Sequence, residues 1–432
     1  MRNLEKAVIN SIMPGVELIY VHTDKFKTGH LSVNLLLQLD KSSAAKNALI
    51  MHVLRRGCKR LPDLKSISDE LDRLYGATID PVVRTIGEIQ CVGFSSNFAD
   101  DRYLPGEESI LEKVVSLTAE LLLDPATRGG LLKADYVRSE RDNLCDAIRS
   151  EMSDKRTYSF MRLKEIMFSG EAYGTDRNGS LKSAERIAQI ALTKHYKAIL
   201  ATAPIKIFYC GGADLERITE AVLNAFSTLP RGEIDLSAGT EIRVECGEPR
   251  FVTETMDVTQ GKLTMGFRLG EVMYSPDYAS IAVFNAVFGG GVTSKLFMNV
   301  RERMSLCYYA SSVTDRFKGV MFVISGVEFD KYETARDEIL AQLRACAEGD
   351  ISEGELSSAI SSLVNSVRAM EDSVSSLDAY YLAHSIDGLT YSPSEYALLI
   401  GEITREDVVR VAKSVRLDCV YFLRGEEKEV AE

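Results

Sequence analysis

The two halves of the chain carry the same order of strands and helices, and this repeat limits the fold more than any other feature. Early on, Leu31, Val33, Leu35, Leu37 and Leu39 occupy every second position with mostly polar residues between them, which predicts a half-buried strand. A helix follows through Ala48 and Leu54 and stops at Gly57. A second carries Leu64, Ile67, Leu71 and Leu74 at spacings of three and four and stops at Gly76. A strand then runs through Ile89, Cys91, Gly93 and Phe94. The order returns with Leu263, Met265, Phe267 and Leu269 as an alternating strand. Ser275-Pro276-Asp277 reads as a helix start, with Ser275 as the cap and Pro276 at the first helical position. That helix stops at Gly289-Gly290-Gly291. Ser294 then caps a helix through Leu296 and Val300 that ends near Leu306, and the strand Val320 to Ile324 follows. The halves also end alike. A helix starting at Leu192-Thr193 precedes the strand Ile205 to Cys210, and one starting at Ile403-Thr404 precedes the strand Cys419 to Leu423. Each half has a long helical stretch in its middle, over 133–168 and 353–386.

The pattern predicts an α+β protein of two homologous halves, each a mainly antiparallel sheet with helices packed on one face. The first domain is expected over 1–229 and the second over 248–432. A linker spans 230–247, where Pro230, Gly232 and Gly239 occur without helical periodicity. The acidic residues after Gly425 read as a frayed tail.

Composition removes several function classes. The formal net charge is −12, and no dense Lys/Arg run is present, which disfavours nucleic acid. No run of about 18 apolar residues occurs, so no membrane span is expected, and the first residues lack an apolar signal core. The eight cysteines form no Cys-x-x-Cys pair, and several lie in apolar words such as Ile207-Phe208-Tyr209-Cys210. Buried free thiols in a reducing cytoplasm fit them better than disulfides or a zinc cage. Gly289-Gly290-Gly291 matches no phosphate-binding spacing. Cys210-Gly211-Gly212-Ala213-Asp214 reads as a turn with Asp214 as a helix cap.

Particular words in the chain resemble the insulinase/pitrilysin-type zinc peptidases. Thr23-Asp24-Lys25-Phe26-Lys27-Thr28, Leu71-Asp72-Arg73-Leu74-Tyr75-Gly76-Ala77 and Asp154-Lys155-Arg156-Thr157-Tyr158 are similar to an uncharacterised bacterial branch of that family. Ser294-Lys295-Leu296-Phe297, continuing from Arg301 to Tyr308, resembles the second-half signature of the whole family. The likeness covers nearly the entire chain and implies zinc metalloendopeptidase chemistry.

That chemistry needs His-x-x-Glu-His on the first helix of the fold, so that two imidazoles on one helical face bind one metal and the Glu takes a proton from the bound water. Anchored on Gly57, the three positions here are Ala48, Met51 and His52. Alanine has no donor atom, and methionine is a poor zinc ligand and no base. Glu140 matches the family's first long-helix glutamate, and the ligand position seven residues on falls at Ala147. The other histidines, His22, His30, His195 and His384, offer no partner at helical spacing. No catalytic residue and no metal ligand is therefore assigned to this chain, and no cofactor. The resemblance implies that zinc resides in a paralogous partner subunit.

The second-half word is intact. Arg301 and Tyr308 occupy the positions from which the family reaches its substrate beside the zinc, and both side chains can donate to a peptide carbonyl or developing oxyanion. The expectation is a non-catalytic subunit that binds peptide and complements a zinc-carrying paralogue, or pairs with itself as a homodimer. Two alternatives stay open: a metallopeptidase with an unrecognised metal site, and a scaffolding or peptide-binding protein of the same fold.

Overall fold

A computed structural model describes residues 6–105 and 109–426, and the tail expected after Gly425 lies almost wholly outside them. The first half of the sequence forms β1 (Val8–Met13), β2 (Val16–His22), β3 (Thr28–Gln38), α1 (Ala44–Arg55), α2 (Leu64–Arg73), β4 (Thr78–Ile86), β5 (Ile89–Ala99), α3 (Ile110–Leu123), the small hairpin β6 (Thr127–Arg128) and β7 (Leu131–Leu132), α4 (Ala134–Ser153), α5 (Lys155–Met167), α6 (Leu181–Glu185), α7 (Gln189–Thr202), β8 (Ile205–Gly211) and α8 (Leu215–Ala225). The second half forms β9 (Arg250–Thr255), β10 (Gly261–Arg268), α9 (Tyr278–Phe288), a π-helix (Leu296–Arg303), β11 (Cys307–Asp315), β12 (Val320–Val327), α10 (Tyr332–Glu348), α11 (Glu353–Met370), α12 (Val374–Ile386), α13 (Pro393–Gly401), α14 (Arg405–Ser414) and β13 (Arg416–Arg424). No regular element lies between α8 and β9.

The chain packs into two compact units, and neither is continuous in sequence. One comprises the described parts of Met1–Arg149, Thr175–Gly239 and Met370–Ser392; the other comprises those of Ser150–Gly174, Thr240–Ala369 and Pro393–Glu432. Each unit thus takes one helical segment from the other half of the sequence. The first sheet has the order β1-β2-β8-β3-β5-β4, antiparallel except for the β2–β8 pair. The second has the order β11-β12-β10-β13-β9, antiparallel except for β13–β9. Read from opposite ends, the two orders coincide over five strands, with β1 an extra strand at the edge of the first sheet, and this is the repeat expressed as topology.

The long helical stretches break at equivalent places. Asp154 caps α5, its carboxylate accepting from the Arg156 N–H at 3.0 Å, and Ser373 caps α12, accepting from Ser376 at 3.3 Å. Two helix starts and one helix end differ from the sequence reading. Asp277, not Ser275, caps α9, because its carboxylate reaches the Ser280 N–H at 3.2 Å. Helix α7 begins earlier, at Gln189. Finally, the expected helix to Leu306 is wound as a π-helix and ends at Arg303.

The alternation in β3 predicted one buried face, yet both faces are covered. Leu31, Val33 and Leu35 belong to the main core of the unit with Ala48, Leu49 and Val92. Ser32 and Asn34, on the opposite face, are also fully buried. Helix α12 covers them, and its Asp378 supplies what buried polar groups require. Ser32 Oγ donates to Asp378 Oδ1 at 2.6 Å, and Arg84 Nη2 donates to Asp378 Oδ2 at 2.9 Å and to Asn34 Oδ1 at 2.8 Å. The other unit holds its borrowed segment similarly. Glu171 is met by Arg268 Nη2 at 2.7 Å and by Lys318 Nζ at 2.6 Å, while Arg268 Nε reaches Asp418 at 2.7 Å.

Burial pushes both carboxyls up. For Asp378 the bonds and charges of His30, Arg84 and Ser32 outweigh it, and for Glu171 those of Arg268 and Lys318 do, so both pKa values fall below their ordinary 3.8 and 4.5. A depressed carboxylate stabilises the fold above its unfolded pKa, and that contribution disappears as pH falls through the folded value. Acid should therefore weaken each unit progressively as pH falls below about 4. Asp378→Asn is expected to lower the unfolding free energy of its unit by about 3 kcal/mol at neutral pH, because it leaves Arg84 without a charge partner. It should also flatten the loss between pH 5 and 3, which urea titrations at several pH values would measure.

Candidate functional site

Helix α1 and its C-cap residue Arg56 place Ala48, His52 and Arg56 four residues apart along one face. Ala48 and Met51 are fully buried in the core of the unit. His52 is exposed at a recess of about 260 Å³ lined also by Val83 of β4, Glu140, Asn143, Leu144 and Ala147 of α4, and Arg177 and Asn178. The tertiary structure therefore gathers His52, Glu140 and Ala147, the positions singled out by the family pattern. Residues 140, 143, 144 and 147 share one face of α4, which is why the spacing of seven returns to the same wall.

The donor set does not fit zinc. Glu140 is already engaged, accepting from Arg56 Nη1 at 2.9 Å and from Asn143 Nδ2 at 3.0 Å. The Arg56 guanidinium also lies over the Tyr136 ring at 5.0 Å. The cation beside Glu140 is thus the Arg56 guanidinium, and the ligand position on α4 is Ala147, which has no donor atom. Desolvation lowers the His52 pKa, against the opposing charge of Glu140, which favours a neutral imidazole. Among the described residues no group of three His, Cys, Asp or Glu side chains is arranged to hold a metal.

A polar relay behind α1 fixes the far wall of the recess. His195 Nε2 donates to Asn47 Oδ1 at 2.6 Å, Asn47 Nδ2 donates to Gln90 Oε1 at 2.8 Å, and Gln90 Nε2 donates to the Arg177 carbonyl at 2.6 Å. Burial, with help from Lys46, pushes the His195 pKa down to about 4, so the ring stays neutral. Gly179 lies so close to α1 that a Cβ there would stand 2.7 Å from the Ala45 nitrogen, and its φ is +69°.

Arg301 and Tyr308 lie in the other unit, on three consecutive departures from regular backbone. Arg301 sits in the π-helix, with its guanidinium 4.6 Å from the Phe297 ring and 3.4 Å from Glu302. Ser305 has a φ of +49°, a left-handed conformation that non-glycine residues rarely adopt. Tyr308 lies at a register break in the β11–β12 pairing. It is 62% exposed and donates to Glu328 Oε1 at 2.6 Å. That bond, with the charge of Glu328, pushes the phenol pKa up, so the hydroxyl keeps its proton at neutral pH. Wide helical turns and bulges re-aim side chains and recur at functional sites. The start of the π-helix is held rigidly: Lys295 is buried against Glu355 at 2.9 Å, and Asn299 donates to Gln342 at 2.7 Å.

Comparison with known proteins decides the relationship. A curated protein of Bacillus subtilis, "Probable inactive metalloprotease YmfF", is 32% identical to this chain over 415 residues, 96% of each. The chain belongs to the insulinase-type M16 peptidase family. Residues 189–363 match the family model described as the peptidase M16 inactive domain. The solved structure of a conserved protein from Enterococcus faecalis V583 is 26% identical, with a TM-score of 0.88 over 98% of this chain and 100% of that one. That of the peptidase M16 inactive domain from Pseudomonas fluorescens is 16% identical and shares the fold, with a TM-score of 0.76 over 97% and 98% of the two chains. Within this M16 chain all eight cysteines are free, and no helix of the described residues is long and apolar enough to cross a membrane.

Sequence reading missed Arg56, Arg177 and the Asn47–Gln90 relay. Only Arg56 had a usable signal, four residues beyond His52 on the helix face; Gln90 and Arg177 are joined to α1 by folding alone. Two measurements follow from the recess. Purified chain dialysed against a slight excess of zinc should retain well under one zinc per chain by elemental mass spectrometry. His52 should titrate below its ordinary 6.5 by NMR and lower still in Glu140→Gln, which removes the charge that raises it.

Proposed function

We propose that this chain is the non-catalytic subunit of an M16 peptidase that acts in the cytoplasm, binding peptide and complementing a zinc-carrying paralogue. The observation that carries the reading is a contrast between two sites. The zinc-motif positions hold Ala48, Met51 and His52, the ligand position on α4 holds Ala147, and Glu140 is bound by Arg56, while Arg301 and Tyr308 are displayed on a braced, irregular backbone. A guanidinium and a protonated phenol suit one task in peptide hydrolysis, donating to the carbonyl oxygen as it acquires charge. Neither group needs a metal bound to its own chain.

Peptide binding has a second support. Strand β4 is an edge of the first sheet, and its Val83 lines the recess with His52. An edge strand offers main-chain groups to an extended segment, and such addition is a general mode of peptide recognition. Pro81 within β4 suits an edge position, where a missing donor is tolerated.

The test mixes this chain with an M16 relative bearing intact His-x-x-Glu-His and follows cleavage of a peptide library. The mixture should cleave faster than either chain alone. Arg301→Ala and Tyr308→Phe should each lower kcat/KM by about 100-fold, the scale for losing one oxyanion donor. Equal cleavage by wild type and both variants would end the proposal, and chelator-sensitive cleavage by the pure single chain would replace it with an autonomous metallopeptidase.

A further inference from the structure

A second concavity in the first unit shares no lining residue with the His52 recess. It measures about 570 Å³ and is lined by three lysines, Lys59, Lys133 and Lys197, against one carboxylate, Asp124. The lysines come from the loop after α1, the residue before α4, and α7, so nothing in their sequence spacing announces them. On a chain with a formal net charge of −12, three ammonium groups around one hollow are a local reversal of sign. Lys59 and Lys197 are exposed, and among the described residues their ammonium groups make no hydrogen bond or ion pair. The Lys133 ammonium is held in place, donating to the Pro62 carbonyl at 3.0 Å above the Tyr136 ring.

The walls are stitched together by main-chain bonds. Lys59 N–H donates to the Asp124 carbonyl at 2.8 Å, Ala126 N–H to that of Gly57 at 2.8 Å, and Cys58 pairs with Pro125. Tyr196 ties α7 to the floor, its hydroxyl donating to the Leu122 carbonyl at 2.7 Å. Apart from Thr127 and the Tyr196 hydroxyl, the remaining lining, including Leu123, Pro125 and Ala126, is mostly apolar. A preformed hollow within the usual ~300–1,000 Å³ of ligand sites, apolar with a few converging charges, has the form of a small-molecule pocket.

We propose that this concavity binds a small organic phosphate, a phosphate monoester carried on an apolar body. Lysine is a point-charge partner well suited to phosphate. A monoester carries about −1.5 to −2 charges at neutral pH, enough to engage several ammonium groups despite Asp124, and a single carboxylate does not. The apolar lining takes the organic part.

Isothermal titration calorimetry and phosphorus NMR on the full chain, with phenyl phosphate as the probe, test this. Saturable one-site binding is expected, several-fold tighter than for inorganic phosphate or benzoate, and weakening below about pH 6 as the dianion gains a proton. Lys59→Gln combined with Lys197→Gln should weaken binding about tenfold or more, a loss of 1.4 kcal/mol or greater. Both side chains are exposed, so the fold should persist, which the thermal unfolding midpoint checks. Lys65→Gln, an exposed lysine outside the lining, should leave the affinity unchanged. Non-saturable binding, equal affinity in the double variant, or an equal loss in Lys65→Gln would overturn the proposal.

Discussion

Each unit depends on one buried carboxylate that holds a borrowed helical segment against a sheet. Asp378 fastens α12 to the polar face of β3, and Glu171 fastens the segment carrying α5 to the second sheet. Without Asp378, buried Ser32 and half-buried Arg84 would lose their shared partner, which costs more than the bonds contribute when made. The polar residues within β3 are therefore a socket rather than a solvent-facing surface. Because the same exchange occurs in both halves, the repeat is more than a duplicated domain: each half completes its unit with a piece of the other half's sequence.

The candidate sites show how a peptidase fold can keep its shape where the residues of its zinc motif are replaced. The recess around His52 persists, walled by α4 and by a loop that the Asn47–Gln90 relay holds to α1. Its charge balance has been rebuilt inside the protein, with Arg56 supplying the cation that Glu140 needs. An uncompensated carboxylate in a half-buried recess would be costly, so the ion pair explains why Glu140 stays beside positions that carry no metal ligand. In the other unit, irregular backbone at Ser305 and at the Tyr308 bulge is the kind of local cost that persists where surrounding structure enforces it. Lys295–Glu355 and Asn299–Gln342 supply that enforcement.

The sequence by itself determined the repeat, the α+β class and the break in the metal motif. These follow from local rules: strand alternation in β3 and β10, glycine stops at Gly57 and Gly76, and donor chemistry that Ala48 and Met51 lack. The family words placed Glu140 and Ala147 beside His52, because a helix returns the same face every seven residues. Tertiary structure decided the rest. Which half's helix covers which sheet depends on contacts such as Ser32–Asp378, separated by 346 residues, and no local pattern encodes a pairing across that distance. The π winding that carries Arg301 is anchored on α10 through Asn299–Gln342 and on α11 through Lys295–Glu355, contacts that no local pattern announces. The pairing of Arg56 with Glu140 of another helix and the three converging lysines were decided by the fold, because charge attraction acts through space and sequence order does not report it.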